Sequence, residues 1–172
     1  KRQETLSLVG ESGCGKSTTG RTLIQLERQT SGTIFFEGRD LATMSKKEIL
    51  ETKKSMQMVF QDPFSSLNPR IRIGDAIAEP IYVHKFVPAS EVSKRVKYLL
   101  DVVELSSGYI DRYPHELSGG QRQRVCIARA LSCNPRLIVA DEAVSALDVS
   151  IQSQILELIK KQDEEIALIE AV

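Results

Sequence analysis

The sequence contains no tryptophan, two histidines and three cysteines, and no CxxC pair occurs among its 172 residues. His84 and His115 stand apart from each other and from Cys14, Cys126 and Cys133. This spacing argues against a His/Cys metal site and predicts surface or packing roles for both histidines. An odd number of unclustered cysteines is typical of reduced thiols in a cytosolic protein.

Long apolar runs and an excess of one charge are also absent. The longest apolar runs, such as residues 137–140, are far too short to span a bilayer. Lys plus Arg and Asp plus Glu number 23 each, so no global field attracts nucleic acid or anionic lipid. The first residues show no signal-peptide pattern. We therefore predict a single globular domain that binds no nucleic acid and reaches a membrane only through a partner.

The order of the predicted elements indicates an α/β fold. Proline, serine and asparagine between residues 62 and 72 mark an irregular segment, and residues 137–140 are typical of a parallel strand buried on both faces. Predicted strands are residues 5–9, 33–36, 56–60 and 137–140; predicted helices are residues 16–27, 90–105, 121–132 and an amphipathic segment containing Ile151, Ile155, Leu158 and Ile159. We predict an α/β core formed by residues 1–63 and 135–172, interrupted by a helical subdomain at 64–134.

A phosphate-binding loop follows the first predicted strand and precedes a helix. It matches the pattern GxxxxGK[ST] and consists of Gly10, Glu11, Ser12, Gly13, Cys14, Gly15, Lys16 and Ser17, followed by Thr18. Glycines let the backbone curl so that successive N–H groups point at phosphate oxygens. Lys16 supplies a positive charge to the β- and γ-phosphates, and the Ser17 hydroxyl is a Mg²⁺ ligand. The pattern therefore predicts an ATP site.

An acidic pair, Asp141 and Glu142, comes directly after the buried strand at 137–140. Ligands of open α/β sheets bind at the carboxyl ends of the strands. We expect Asp141 to hold Mg²⁺, directly or through water, and Glu142 to polarise the attacking water as a general base.

A second glycine motif lies at the start of the helix predicted near residue 121. It consists of Leu117, Ser118, Gly119, Gly120 and Gln121. Two glycines after a serine expose backbone N–H groups at a helix N-terminus, which is a second place for an anion.

The chain resembles an ABC (ATP-binding cassette) ATPase along essentially its whole length. The resemblance is carried by the order of four features: the phosphate loop, Gln61, this second glycine motif, and Asp141-Glu142 followed by Asp148. The resemblance implies a P-loop NTPase (RecA-like) core with an inserted α-helical subdomain. It also implies a head-to-tail dimer in which residues 118–121, the signature, contact ATP on the partner's phosphate loop. Gln61 would then sense Mg²⁺ and the attacking water, and Asp148 would communicate across the dimer.

The segments at 60–69 and 113–116 are similar to those of dipeptide and oligopeptide importer ATPases, and so are residues 10–14 and 148–152. This narrower resemblance implies transmembrane permease subunits as partners, an extracytoplasmic solute-binding protein acting indirectly, and a peripheral position on the cytoplasmic face of the membrane. The partner cassette is either identical or a paralogue.

The chain departs from this family at both ends. No aromatic residue that could stack on adenine precedes the phosphate loop. The family has a switch histidine after Asp148, whereas both histidines of this chain precede Asp141. Ala143 replaces the proline that is usual at that position. The chain therefore resembles a fragment, and if its ends are natural we expect weak adenine binding and impaired hydrolysis. Two alternatives stay open: a soluble ABC ATPase of translation or DNA maintenance, and a non-catalytic module that dimerises on ATP.

Overall fold

A computed structural model describes residues 5–141 and 167–171 of the chain. These residues form both strands and helices. The strands are β1 (Thr5–Leu8), β2 (Phe35–Phe36), β3 (Arg39–Asp40), β4 (Met56–Val59), β5 (Leu137–Asp141) and β6 (Ala167–Ala171). The α-helices are α1 (Lys16–Leu23), α2 (Lys46–Lys53), α3 (Pro63–Ser66), α4 (Ile73–His84), α5 (Val92–Val102) and α6 (Gly119–Ala130). The α/β class predicted from the sequence is confirmed.

The main sheet has four described strands in the order β1-β6-β5-β4, and every neighbouring pair is parallel. The parallel direction brings the carboxyl ends of β1, β4 and β5 to one edge of the sheet. β2 and β3 form a separate antiparallel hairpin around Glu37 and Gly38, both with positive φ. The edge where the parallel strands end is the edge that carries the candidate site.

Strands β4 and β5 are buried on both faces of the sheet, each face against a different apolar cluster. Ile138, Ala140 and Leu168 join the apolar cluster formed with α4, α5 and α6. Val139 and Ile169 point the other way and pack with Ile24, the C-cap of α1, and with apolar residues between positions 34 and 49. Successive residues of a strand alternate between faces, so a strand covered on both sides must be apolar at every position. This confirms the prediction made from residues 137–140.

Helix α1 lies close against β5 because Gly20 has no side chain. A Cβ added at Gly20 would lie 2.9 Å from Val139 Cγ1. The helix ends at Leu23 rather than near residue 27 as predicted, because Ile24 is its C-cap and Gln25 has a left-handed φ of 59°. A left-handed residue just after a helix ends it and frees the chain to turn.

The remaining helices, α3 to α6, all lie between β4 and β5 in the chain. Helix α5 occupies most of the predicted segment 90–105, and α6 with its following 3₁₀ turn covers the predicted 121–132. The bounds proposed for the helical subdomain remain a prediction. The helix expected around residues 151–159 lies outside the described residues, and β6 was not predicted. No helix in the described part of the chain is long and apolar enough to cross a membrane.

Candidate functional site

The phosphate loop connects β1 to α1 and depends on left-handed backbone at two glycines. Gly13 has a φ of 83° and Gly15 a φ of 98°, values that residues with a side chain rarely adopt. At Gly10 the constraint is space, because an added Cβ would lie 2.7 Å from Cys14 Sγ. Gly15 is the N-cap of α1 and offers no side chain to its first-turn amides. The helix N-terminus is therefore open to an anion.

Lys16 bends back over this loop. Its Nζ donates to the carbonyl oxygens of Gly10, at 2.6 Å, and Glu11, at 3.1 Å, and lies 4.0 Å from Cys14 Sγ. These are backbone acceptors on the loop itself, so the ammonium group is held against the phosphate loop. The contacts are solvent-exposed, and a ligand with a formal negative charge can replace them at little cost.

Ser17 and Asp141 meet across the sheet edge. Ser17 Oγ, in the first turn of α1, donates a hydrogen bond of 2.7 Å to Asp141 Oδ1 at the end of β5. Asp141 is only 3% exposed. The two residues that the sequence analysis assigned to Mg²⁺ are thus brought together, with the hydroxyl and the carboxylate oxygen facing each other. Hydroxyl and carboxylate oxygens are ligands that Mg²⁺ prefers.

A cleft of about 530 Å³ opens beside this pair. Its lining includes Gln61 and Asp141, so the structure also brings the predicted glutamine to the carboxyl edge of the sheet. Two arginines, Arg21 from α1 and Arg129 from α6, line the same cleft and were not predicted. No motif contains them, and only the fold places them beside an anion site.

The signature residues lie at the start of α6, away from this cleft. Ser118 and Gly119 are exposed, and none of residues 118–121 is among the residues that line the cleft. Ser118 Oγ accepts from Gln121 N at 3.3 Å, while Gln121 Oε1 accepts from Ser118 N at 3.0 Å, which forms a capping box. The side-chain amide of Gln121, expected to face nucleotide, thus points into its own protomer.

Metal-binding clusters rich in His, Cys, Asp or Glu do not occur among residues 5–141 and 167–171. His84 is half-buried at the end of α4, and burial lowers its pKa below the usual value. Cys126 and Cys133 are buried and Cys14 is exposed, all three as free thiols.

Two predicted residues, Glu142 and Asp148, lie outside the described residues. Strand β5 ends at Asp141, and Glu142, the expected base, is the next residue in the sequence. The roles of both residues stay predictions.

Residues 1–145 match the family model described as "ABC transporter". The chain is 52% identical over 169 residues to the "Oligopeptide transport ATP-binding protein AppF" of Bacillus subtilis, covering 98% of the chain and 51% of that relative. It is also 52% identical over 165 residues to the "Glutathione import ATP-binding protein GsiA" of Pectobacterium atrosepticum, covering 96% of the chain and 26% of that relative. The chain thus spans between about a quarter and a half of these relatives' length.

Two solved structures have the same fold. The dimeric post-hydrolysis state of the ATP-binding cassette MJ0796, bound to ADP and Pi, matches with a TM-score of 0.89 at 29% identity, over 100% of this chain and 75% of that one. The structure of cbiO1 from Clostridium perfringens, part of the ABC transporter complex cbiONQ, matches with a TM-score of 0.83 at 31% identity, over 100% of this chain and 68% of that one. The family match, the fold and the arrangement of the phosphate loop agree: the chain belongs to the ABC transporter family.

Proposed function

We propose that this chain is the ATP-binding and ATP-hydrolysing cassette of an ABC importer for peptides. The observation that carries the proposal is the 2.7 Å contact between Ser17 of the phosphate loop and the buried carboxylate of Asp141. A buried carboxylate beside a glycine-rich loop that carries a lysine is the arrangement needed to hold a nucleoside triphosphate with its cation.

Each residue of the site has a distinct task in this proposal. Lys16 and the first-turn amides of α1 bind the β- and γ-phosphates. Ser17 and Asp141 hold Mg²⁺, which when bound neutralises charge on the phosphate oxygens. Gln61 orients the attacking water, and Glu142 accepts its proton as the general base. The remaining residues of the phosphate loop, with Thr18, surround the phosphates through backbone and hydroxyl groups.

The second half of the ATP site comes from another cassette. The N-terminus of α6 is exposed and does not line the cleft of its own protomer, so the signature needs a different nucleotide to contact. The MJ0796 structures, which match this fold, are dimers. Ser118, Gly119 and Gly120 would bind the γ-phosphate held by the partner's loop, and Asp148 would lie at the same interface. ATP then joins the two cassettes, and hydrolysis releases them.

A groove of about 350 Å³ fits the permease contact that an importer requires. Its lining combines Ile24, Leu26 and Met58 with Pro80 and Val83 of α4, and Val83 is 61% exposed. An exposed apolar groove rimmed by polar residues is a typical place for a helix of another protein to bind. The relatives' names, oligopeptide transport and glutathione import, favour a peptide as cargo. We place the protein on the cytoplasmic face of the membrane through this contact.

Two substitutions in the full-length protein test the proposal. Glu142→Gln should lower ATP turnover by about 100-fold or more, because it removes the general base, but should keep ATP-dependent dimerisation. Lys16→Met should weaken both, because it removes the charge that holds the phosphates. Turnover is measured as phosphate release with Mg²⁺, and dimerisation by light scattering.

The outcomes separate the alternatives. If Glu142→Gln changes nothing because the unmutated protein has no turnover, the cassette is a non-catalytic module. If turnover and dimerisation behave as expected but the protein never co-purifies with membrane subunits, it is a soluble ABC ATPase and the importer assignment is wrong.

A further inference from the structure

The side-chain amide of Gln121 is held at both of its ends. Gln121 Oε1 accepts from the backbone N–H of Ser118 at 3.0 Å, and Gln121 Nε2 donates to the hydroxyl of Tyr109 at 2.9 Å. The second bond joins the signature to a residue twelve positions earlier in the chain. The sequence motif does not include Tyr109, which is half-buried and packs beside the main apolar cluster.

Tyr109 is itself held in place by the start of α4. The backbone N–H of Ile73 donates to Arg112 O and that of Gly74 to Ile110 O, both at 2.9 Å. Gly74 permits this approach, because a Cβ there would lie 2.7 Å from Ile110 Cγ2. The Arg112 guanidinium lies over the Tyr109 ring, 4.6 Å from its centroid. The backbone that follows Tyr109 is therefore attached to the start of α4, and the tyrosine ring packs against Arg112.

The capping box leaves the signature able to bind phosphate. Ser118 Oγ uses a lone pair to accept from Gln121 N, so its hydroxyl hydrogen is still available to donate. The glycines at positions 119 and 120 leave the first-turn amides uncovered. The direction of these donors depends on how firmly the Ser118–Gln121 box is closed.

We propose that Tyr109 is a positioning residue for the signature: by holding Gln121 Nε2, it keeps the capping box closed and aims Ser118 at the nucleotide of the partner cassette. The inference rests on the proposed function, since it assumes that the signature completes a partner's site. Tyr109 does not touch nucleotide. Its loss should affect dimer closure and leave ATP binding to the protomer's own phosphate loop unchanged.

Tyr109→Phe in the full-length protein removes the hydroxyl and keeps the ring under Arg112. We expect the ATP-dependent dimer to dissociate about 3- to 10-fold more readily for each ATP site that carries the substitution, which corresponds to the loss of one ordinary hydrogen bond per site. The affinity of the monomer for a fluorescent ATP analogue, measured at concentrations too low for dimerisation, should stay within about twofold of the unmutated value. Tyr98→Phe is the matched control, because Tyr98 lies on α5 and its ring contacts Arg95 rather than the signature.

A double-mutant cycle with Gln121→Met distinguishes positioning through Gln121 from a general effect on the fold. Tyr109→Phe should weaken the dimer in the unmutated background and add nothing when Gln121 is already methionine. Urea unfolding provides the second readout. If Tyr109 had a merely structural role, Tyr109→Phe would shift the unfolding midpoint both in the unmutated protein and in the Gln121→Met variant.

Two results would overturn the role of Tyr109. One is an effect of Tyr109→Phe that persists in the Gln121→Met background; the other is normal dimerisation of Tyr109→Phe while Gln121→Met dimerises poorly. If the unmutated protein fails to dimerise with ATP or its non-hydrolysable analogue, the proposed function is wrong and the role of Tyr109 falls with it.

Discussion

At the scale of single residues, the hydrogen bond between Ser17 and Asp141 bears on both the stability of the fold and the proposed binding of a cation. The residues are 124 positions apart in the chain, and their contact attaches the start of α1 to the end of β5. A buried carboxylate that loses a donor keeps its desolvation cost without compensation. The same bond therefore contributes to folding before any nucleotide arrives and presents oxygen ligands to a cation afterwards.

Ser17→Ala and Asp141→Asn should separate these tasks. Ser17→Ala removes the donor from a buried carboxylate and should lower the free energy of unfolding by about 1–3 kcal/mol. Asp141→Asn keeps an oxygen that accepts from Ser17 and should change it by no more than about 1 kcal/mol. Both should lose Mg²⁺-dependent ATP turnover. Urea unfolding and phosphate release measure the two effects, and equal destabilisation by both substitutions would contradict the role given to the hydrogen bond.

The three cysteines should differ strongly in reactivity. Cys14 is exposed in the phosphate loop, whereas burial raises the pKa of Cys126 to about 11 and also raises the pKa of Cys133. A thiol with a raised pKa stays protonated at pH 8, and at a pKa of about 11 only about one molecule in a thousand carries the reactive thiolate.

Iodoacetamide at pH 8 should therefore label Cys14 first, and mass spectrometry should find one adduct on the folded protein. ATP should slow the labelling if it occupies the loop, because the adduct and the phosphates compete for the same space. Cys14→Ala is the control and should stay unlabelled over the same time. Early modification of Cys126 would mean that the helix packing around it opens more easily than its burial indicates.

Sequence reasoning found the residues of the site that belong to a local motif and missed those that depend on the fold. Lys16 and Ser17 follow from a short pattern, and Asp141 from its place after a buried strand. Tyr109 and Arg129 belong to no pattern, since their partners are distant in the chain: Arg129 Nη1 donates to Ser66 O at 2.7 Å, 63 positions away. Such contacts arise from helix packing, which a single sequence does not reveal.

At the scale of elements, two helices begin with the same device. In α2, Ser45 Oγ accepts from Glu48 N at 3.3 Å, and Glu48 Oε2 accepts from Ser45 N at 2.9 Å. In α6, Ser118 and Gln121 form the equivalent box, also with a 3.3 Å cap. The N-cap hydrogen bond has the same length in both helices, although Ser45 Oγ also donates to Glu48 Oε2 at 2.7 Å, and only α6 carries the signature.

Ser45→Ala and Ser118→Ala should thus have similar effects on stability and different effects on function. Each should lower the free energy of unfolding by about 0.5–2 kcal/mol through loss of the N-cap. Only Ser118→Ala should also weaken ATP-dependent dimerisation, because it removes a donor to the partner's γ-phosphate. Thermal unfolding and light scattering on the two variants measure this, and equal dimerisation would show that the signature serves only as a helix start.

Elements were predictable where local sequence specifies them. Strand β5 is a continuous apolar run, and α5 has one apolar face at helical spacing. Strand β6 was missed, because its five residues, Ala167–Ala171, have no alternating pattern of their own. Its place between β1 and β5 is set by parallel pairing with strands far away in the chain, and the five residues alone do not encode that pairing.

At the scale of the whole molecule, the cleft beside Asp141 and the proposed permease groove share a wall. Phe60 and Arg129 line both of them. Arg129 also holds Ser66 O at the end of α3, so one side chain contacts the segment after Gln61 and borders both cavities. A displacement of α3 would therefore act on a side chain that borders the groove, because packed side chains transmit small displacements.

Val83→Lys tests whether the groove is where a permease binds. Val83 is 61% exposed at the groove and lies in the last turn of α4, where a lysine is compatible with the helix dipole. A charge in an apolar contact should lower the permease-stimulated ATP turnover of the assembled importer by about tenfold, the effect of losing one central contact of an interface. Leu50→Lys is the matched control, since Leu50 is 51% exposed on α2 and is not part of the groove. Turnover is measured in proteoliposomes as a ratio to that of the isolated protein, which corrects for damage to the ATP site. If both variants keep full stimulation, the permease binds elsewhere, and the shared wall at Arg129 loses its role in coupling.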